Sequence, residues 1–367
     1  MRNWKKILGM CLAFGLSSQT LAQTPKLEAV GPALEHPWGI DFLDDTKVLV
    51  TERIGGLQLI DLSTGAASKI TNLPEVVAER QGGLLDVLVD QNFLYLCYAK
   101  QQKDGVVTAI DRAILTGTQL QYRKTIFMTN TPSRSAIHFG CRLAVQDEFL
   151  FASLGDRGTR ENAQNPETHA GSIIRITLDG KEPENNPKQA GWLAETFSIG
   201  HRNPQGLAIH PDTGALWSHE HGPKGGDEIN IIEAGKNYGW PVVSHGREYM
   251  SGLRVSKFDS LEGYVDPKWV WVPSIAPSGM AFYPAKDGSA AMFPELSGSL
   301  LVGSLKFRRL YQVMLDEDGL PTSETILIDK TLGRIRDVAI AKDGAILLLN
   351  DAGKSANPPG GLYRISR

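Results

Sequence analysis

The densest run of chemically capable side chains is Ser218-His-Glu-His-Gly-Pro-Lys-Gly-Gly-Asp-Glu-Ile-Asn230, followed closely by Gly235-Lys-Asn-Tyr-Gly-Trp-Pro241. Its glycines let main-chain carbonyls approach a hard cation, and its carboxylates add oxygen ligands of the kind calcium gathers, about six to eight at a time. His219 and His221 stand two apart on an extended stretch and share a face, a pattern also open to zinc or copper, though no third His or Cys ligand lies nearby. A second set of residues is cationic. Arg202, Lys306, Arg334 and Arg336 lie in His201-Arg-Asn-Pro-Gln-Gly206, Gly303-Ser-Leu-Lys306 and Gly333-Arg-Ile-Arg-Asp337, and together they suit a small ligand with several carboxylates. His138, in His138-Phe-Gly-Cys-Arg142, supplies a side chain that titrates near neutrality and can take a proton from a substrate hydroxyl. Gln81-Gly-Gly-Leu-Leu-Asp86 completes the set of polar clusters.

The whole chain limits what these residues can serve. Its 38 Lys and Arg nearly balance 41 Asp and Glu over 367 residues, with no basic block, so nucleic acid is excluded as a partner. Three cysteines cannot staple a disulfide scaffold. Cys97 and Cys141 sit in apolar, strand-like runs and are read as two buried free thiols, although an oxidising compartment would permit pairing. Residues 1–22 read as a secretory signal: Arg2, Lys5 and Lys6, then the apolar Ile7 to Leu16, then Thr20-Leu21-Ala22. That apolar run is too short to span a membrane, so the expectation is an exported protein, periplasmic in a bacterium, that does not cross the bilayer.

The elements that must position the clusters follow from a repeated phrase. A small or turn residue, an alternating apolar strand, an Asp or Gly turn and further apolar strands recur from His36, Pro204, Ser278 and Arg336, with weaker copies from Gly83 and Cys141. Six copies of period-two strands with turn punctuation predict an all-β fold, a six-bladed β-propeller of four-stranded antiparallel blades occupying residues 23–367 as one domain. Two β-sandwiches are the alternative, but no linker divides the chain. Each polar cluster falls near the start or end of a different blade, and blade ends can converge on one axis.

Together these phrases resemble the soluble aldose sugar dehydrogenases of the pyrroloquinoline quinone (PQQ) dependent soluble glucose dehydrogenase family. The resemblance covers nearly the whole mature chain. It is strongest in Gln81-Gly-Gly-Leu-Leu-Asp-Val87, Arg202-Asn-Pro-Gln-Gly206, Glu220-His-Gly-Pro223, Gly226-Asp-Glu-Ile-Asn230 and Asn237-Tyr-Gly-Trp-Pro241. It implies a calcium-containing propeller in which His138 is the catalytic base and Gln81, Arg202 and Asn203 contact the quinone. Lys306, Arg334 and Arg336 would hold PQQ, with Ser304, Leu305 and Ile335 beside them and Tyr249 at a further cofactor-lining position. The carbonyls of Gly222 and Pro223 would hold calcium, and Glu228 and Tyr238 match a calcium-ligand pair. Ile137 and Cys141 depart from the pattern, where a polar residue and a glycine are expected.

The implied chemistry is oxidation of an aldose such as glucose at its anomeric carbon to a lactone. His138 would take the hydroxyl proton as hydride passes to PQQ, while Arg202 and calcium stabilise charge developing on the quinone oxygen. The partners would be a small aldose and an external electron acceptor (quinone, cytochrome or dye), for a monomer or homodimer. Two rivals remain: a calcium-dependent propeller lactonase, which has no use for a ring of Arg and Lys, and a non-enzymatic glycan- or protein-binding propeller, which has no use for base and clamps together.

Overall fold

Each of the six repeated phrases begins on the innermost strand of a four-stranded antiparallel sheet. The computed structural model describes residues 25–284 and 292–367, so the leader expected at 1–22 lies outside the described residues. The inner strands are Pro37–Asp44, Leu84–Asp90, Gly140–Gln146, Pro204–Ile209, Pro277–Phe282 and Ile335–Ile340, and they neighbour one another around a common axis. Blades 1 to 5 run outward in chain order from the first five of these strands. Blade 6 is composite: strands Ile335–Ile340, Ile346–Asn350 and Gly361–Ser366 are completed by Lys26–Val30, with Leu27 opposite Ile365. The ring is thus closed by pairing the two ends of the described chain, which leaves no long free edge around the circle.

The sequence pattern explains the packing. The first four residues of every inner strand are buried, because both faces lie between neighbouring blades, and alternation emerges only toward the strand ends. The apolar clusters are accordingly shared between blades. Trp217, Ile229 and Trp271 of blade 4 pack with Met280, Val302 and Tyr311 of blade 5. Helix is confined, among the described residues, to the 3₁₀ turns Arg160–Gln164 and Pro294–Leu296.

Each inner strand carries a register shift near its start: between Pro37 and Ile40, Leu84 and Val87, Gly140 and Leu143, Pro204 and Gly206, Pro277 and Met280, and Ile335 and Asp337. A bulge of this kind re-aims the extra residue while the rest of the ladder continues.

The thiol expectation is corrected. Cys97 and Cys141 form a disulfide, with Cα atoms 5.7 Å apart, between the second strand of blade 2 and the inner strand of blade 3. Their apolar flanks signalled burial correctly, and both are buried. Pairing depended on which strands of adjacent blades face each other, which the local sequence does not contain.

Candidate active site

His138 sits just before the inner strand of blade 3 in the left-handed region, at φ 53°. It is 8% exposed, and its backbone N–H donates to Gln81 Oε1 at 2.7 Å. Its Nδ1 lies 2.6 Å from Asp156 Oδ1. Asp156 also accepts from the Gly158 N–H at 2.7 Å and, through Oδ2, from Trp240 Nε1 at 2.8 Å. Burial holds the imidazole pKa below its ordinary value, and the Arg202 and Arg157 charges push the same way against the bond to Asp156. Burial would raise the Asp156 carboxyl, but the His138 and Gly158 bonds and the Arg202 charge hold it below the usual range. An ionised Asp156 beside a neutral imidazole fixes the tautomer: Nδ1 carries the hydrogen and donates it, and Nε2 keeps its lone pair. Gly155 is required by close approach, since a Cβ there would stand 2.3 Å from the His138 carbonyl oxygen.

Beside this histidine lies an axial cavity of about 610 Å³. Phe139 and Gly140, next to His138 in the chain, line it, together with the bulge residues Trp38, Leu85, Gln205 and Arg336 of four other inner strands. Gln81, Asn203, Leu305, Lys306 and Arg334 complete the part expected from sequence, and Arg53, Arg80, Arg308, His36, His221 and Asp351 also line the wall. Asp351 accepts from Arg336 Nη2 at 2.8 Å and Arg334 Nη2 at 3.3 Å, and lies 2.9 Å from His36 Nδ1. Burial would raise its carboxyl, but the Arg336 charge and bond, with His36 and Arg334, hold it well below the carboxylate range. Arg336 Nε is buried and without a hydrogen-bond partner. An orphaned guanidinium N–H in a cavity rich in cations fits an anionic ligand with several carboxylates.

Arg202 lies at the neighbouring end of blade 4. Its Nη1 donates to the carbonyls of His221 at 2.9 Å and Gly222 at 2.7 Å, and its guanidinium lies 5.3 Å from the Trp240 ring. The N–H groups of Arg202 and Asn203 both donate to Glu220 Oε2. A small second cavity, lined by Arg202, Glu220, Gly222, Glu228 and Tyr238, brings together three of the four expected calcium residues. Burial and the Glu220 charge push the Glu228 carboxyl far above its ordinary range, a strain that a bound cation would relieve. Pro223 is held differently, its carbonyl accepting from Ser274 Oγ at 3.1 Å. The Tyr238 hydroxyl donates to the Ile231 carbonyl at 2.7 Å and accepts from the Glu233 N–H at 2.8 Å, which leaves the main chain of Tyr238 as its route to a cation.

Four residues expected to contact or flank the cofactor are not in the axial cavity wall; one of them, Arg202, lines the small second cavity instead. Ser304 is buried behind the axial wall, its hydroxyl donating to the Ile275 carbonyl at 2.6 Å, and Ile335 belongs to the apolar cluster between blades 5 and 6. Tyr249 is 63% exposed and is not among the residues of the cavity wall. The transition-metal alternative finds no support: among the described residues no group of three or more His, Cys, Asp or Glu is arranged to hold a metal ion, and His219 is fully buried with neither ring nitrogen bonded. Sequence reasoning missed Asp156 and Asp351. The signal for Asp156 was available in Gly155-Asp-Arg-Gly158, an acid between glycines just after an apolar strand.

Comparison with known proteins agrees with this geometry. The glucose/sorbosone dehydrogenase family model matches residues 34–364. The aldose sugar dehydrogenase YliI of Escherichia coli (strain K12) is 36% identical over 342 residues, covering 89% of this chain and 90% of that protein. Quinoprotein glucose dehydrogenase B of Acinetobacter calcoaceticus is 27% identical over 405 residues, covering 86% and 82%. The solved PQQ-bound aldose sugar dehydrogenase from Streptomyces coelicolor aligns with a TM-score of 0.76 at 26% identity, covering 94% of this chain and 98% of that one. With a ring of six blades, a cationic axial cavity and a carboxylate-oriented histidine beside it, the chain belongs to the glucose/sorbosone dehydrogenase family of PQQ-type soluble aldose sugar dehydrogenases.

Proposed function

We propose that the protein oxidises the anomeric carbon of aldoses to lactones, with PQQ in the axial cavity, calcium at the Gly222 end and His138 as the general base. The carrying observation is the chain from His138 through Asp156 to Trp240 at the edge of the cationic cavity. The quinone supplies a two-electron hydride acceptor and calcium supplies Lewis-acid polarisation. Lys306, Arg334 and Arg336 would hold the cofactor's carboxylates, the orphaned Arg336 Nε supporting that assignment. Gln81 and Asn203 would orient the cofactor while they brace the histidine segment, to which they already bond. Gly222 and Pro223 carbonyls, with Glu228 and the Tyr238 main chain, form a hard-oxygen set of the kind calcium takes.

His138 Nε2 takes the anomeric hydroxyl proton, and Asp156 stabilises the imidazolium that results. The Arg202 charge bears on His138, and its Nη1 donates to the Gly222 carbonyl, one of the oxygens that would hold calcium. Export to an oxidising compartment is part of the reading, supported by the Cys97–Cys141 disulfide.

The test loads purified protein with PQQ and calcium and follows dye reduction with an aldose. His138→Gln is expected to bind PQQ, read by its absorbance, while kcat falls by about 10²–10⁴. Parental turnover in a loaded His138→Gln enzyme would remove the histidine from the mechanism.

A further inference from the structure

We infer that the enzyme takes aldoses bearing an anionic group, such as hexuronates, in preference to neutral ones, and that Arg80, set by Arg53, recognises the anion. The inference rests on the function proposed above and deepens it by naming the substrate class.

The argument is one of charge. Six cations line the axial cavity, namely Arg53, Arg80, Lys306, Arg308, Arg334 and Arg336, against the single carboxylate of Asp351. Asp351 is paired with Arg334 and Arg336. Among the described residues, no carboxylate pairs with the other four. A cofactor with three carboxylates therefore leaves two positive charges unanswered, before any calcium is counted. A neutral sugar would leave that surplus facing the reacting centre, whereas a monoanionic one halves it.

The surplus also has a location. Lys306, Arg308, Arg334 and Arg336 come from blades 5 and 6, and the expected cofactor clamps are all among them. Arg53 and Arg80 come from blade 1, the neighbour of blade 6 in the ring, and from the segment leading into blade 2: the turn after strand Lys47–Glu52, and the stretch before strand Leu84–Asp90. Arg53 Nη1 donates to the Arg80 carbonyl at 2.6 Å and more weakly to that of Gly82 at 3.4 Å, so one arginine fixes the backbone that presents the other. Arg80 itself is exposed, has φ 49° and directly precedes Gln81, the residue bonded to the His138 N–H. An arginine without a carboxylate partner is thus tied by two short links to the base, where the substrate's anomeric carbon must sit.

In the reaction inferred, the C1–H and O–H bonds of the uronate break and a C1=O bond forms. The hydride carries its electron pair to the quinone, the hydroxyl proton goes to His138, and the product lactone keeps its carboxylate.

The loaded enzyme should be assayed with D-glucuronate, D-glucose and D-glucose 6-phosphate from low to high ionic strength. Glucuronate is expected to exceed glucose in kcat/KM by about tenfold or more at low salt, the worth of one hydrogen bond to a charged group. That advantage should shrink as salt screens the exposed arginine. Arg80→Ala should lower the glucuronate-to-glucose ratio by about tenfold. Calorimetry of the loaded enzyme with methyl glucopyranosiduronate and methyl glucopyranoside, which cannot turn over, should show tighter binding of the charged glycoside. A preference for glucose 6-phosphate over glucuronate would support the anionic class and assign the group as phosphate. Glucose oxidised as well as glucuronate, at every salt concentration, would overturn the inference and leave the proposed function standing. Failure to oxidise any aldose would overturn both.

Discussion

The axis of the propeller holds two polar cavities built from successive residues of the same inner strands, and they handle charge in opposite ways. The larger, at the starts of the strands, gathers six cations around one carboxylate. The smaller, about 140 Å³ and further along the strands, is lined by Asp41, Asp86, Asp337 and Arg142. There Arg142 Nη1 donates to Asp86 at 3.0 Å and to Asp337 at 2.7 Å, Nε donates to the Gln205 carbonyl at 2.8 Å, and the guanidinium stacks 4.2 Å from the Trp38 ring. The acids of the lower cluster find their donors within the protein, in Arg142 and in backbone N–H groups, and burial raises their pKa values so that they need not all be charged. The upper one is incomplete without an anion. A buried network that closes on itself is part of the scaffold, while one left with unmatched charge is a binding site.

The largest expected effect tests the lower cavity. Arg142→Met leaves Asp86 and Asp337 buried without their counter-ion and should cost about 3–5 kcal/mol, read as a lowered denaturant midpoint. An unchanged midpoint would mean the lower cluster is as dispensable as a surface pair. The next effect belongs to the edge of the upper cavity and is read in turnover. Asp156→Asn removes the acceptor that fixes the His138 tautomer, and kcat should fall by about 10² or more. The wild-type acid limb of kcat/KM, which reports the free base, should lie below 6.5 because burial lowers the His138 pKa. In Asp156→Asn the limb should move lower still, since the group that raised it is gone.

A smaller effect is expected at Lys306, which has no carboxylate partner among the described residues. Lys306→Met should weaken PQQ binding by about tenfold to a hundredfold, measured by equilibrium titration, without lowering the melting temperature. The smallest is a pH slope. Burial raises the Asp41 pKa from 3.8 to about 6, so between those values the folded state holds more proton than the unfolded one. Stability from this group is present at low pH and falls as pH rises through that window, by at most about 1.4 kcal/mol per pH unit. Asp41→Asn should flatten that fall. Asp351 runs the other way: its depressed pKa gives stability at neutral pH that is lost on acidification.

The ring was legible because its cause is local and repeated. Alternating apolar strands with Gly and Asp turns recur six times, and each copy became an inner strand. The convergence of Lys306, Arg334 and Arg336 was legible because Arg334 and Arg336 stand at the start of the inner strand of blade 6, while Lys306 follows strand Leu300–Ser304, whose end pairs with the start of blade 5. The alternation of neighbours was harder to see. Asp86, Arg142 and Asp337 belong to the same short motifs as the cavity residues, yet the bulges turn them into the lower cluster. Asp351 was missed because its partners meet it only in the fold, Arg336 across the first hairpin of blade 6 and His36 once blade 6 has closed against blade 1. Tyr249 was misplaced because a loop residue's position is set by its neighbours rather than by its own pattern.

The composite sixth blade bears on the order of events during synthesis. Arg334 and Arg336 stand on or beside an inner strand whose sheet is completed only when Lys26–Val30, among the first described residues to emerge, meets Gly361–Ser366, among the last. Nearly the whole polypeptide is the loop that this pairing must close, a slow and non-local step. The strand that carries Arg336 is therefore held in its complete sheet only after this last pairing has formed.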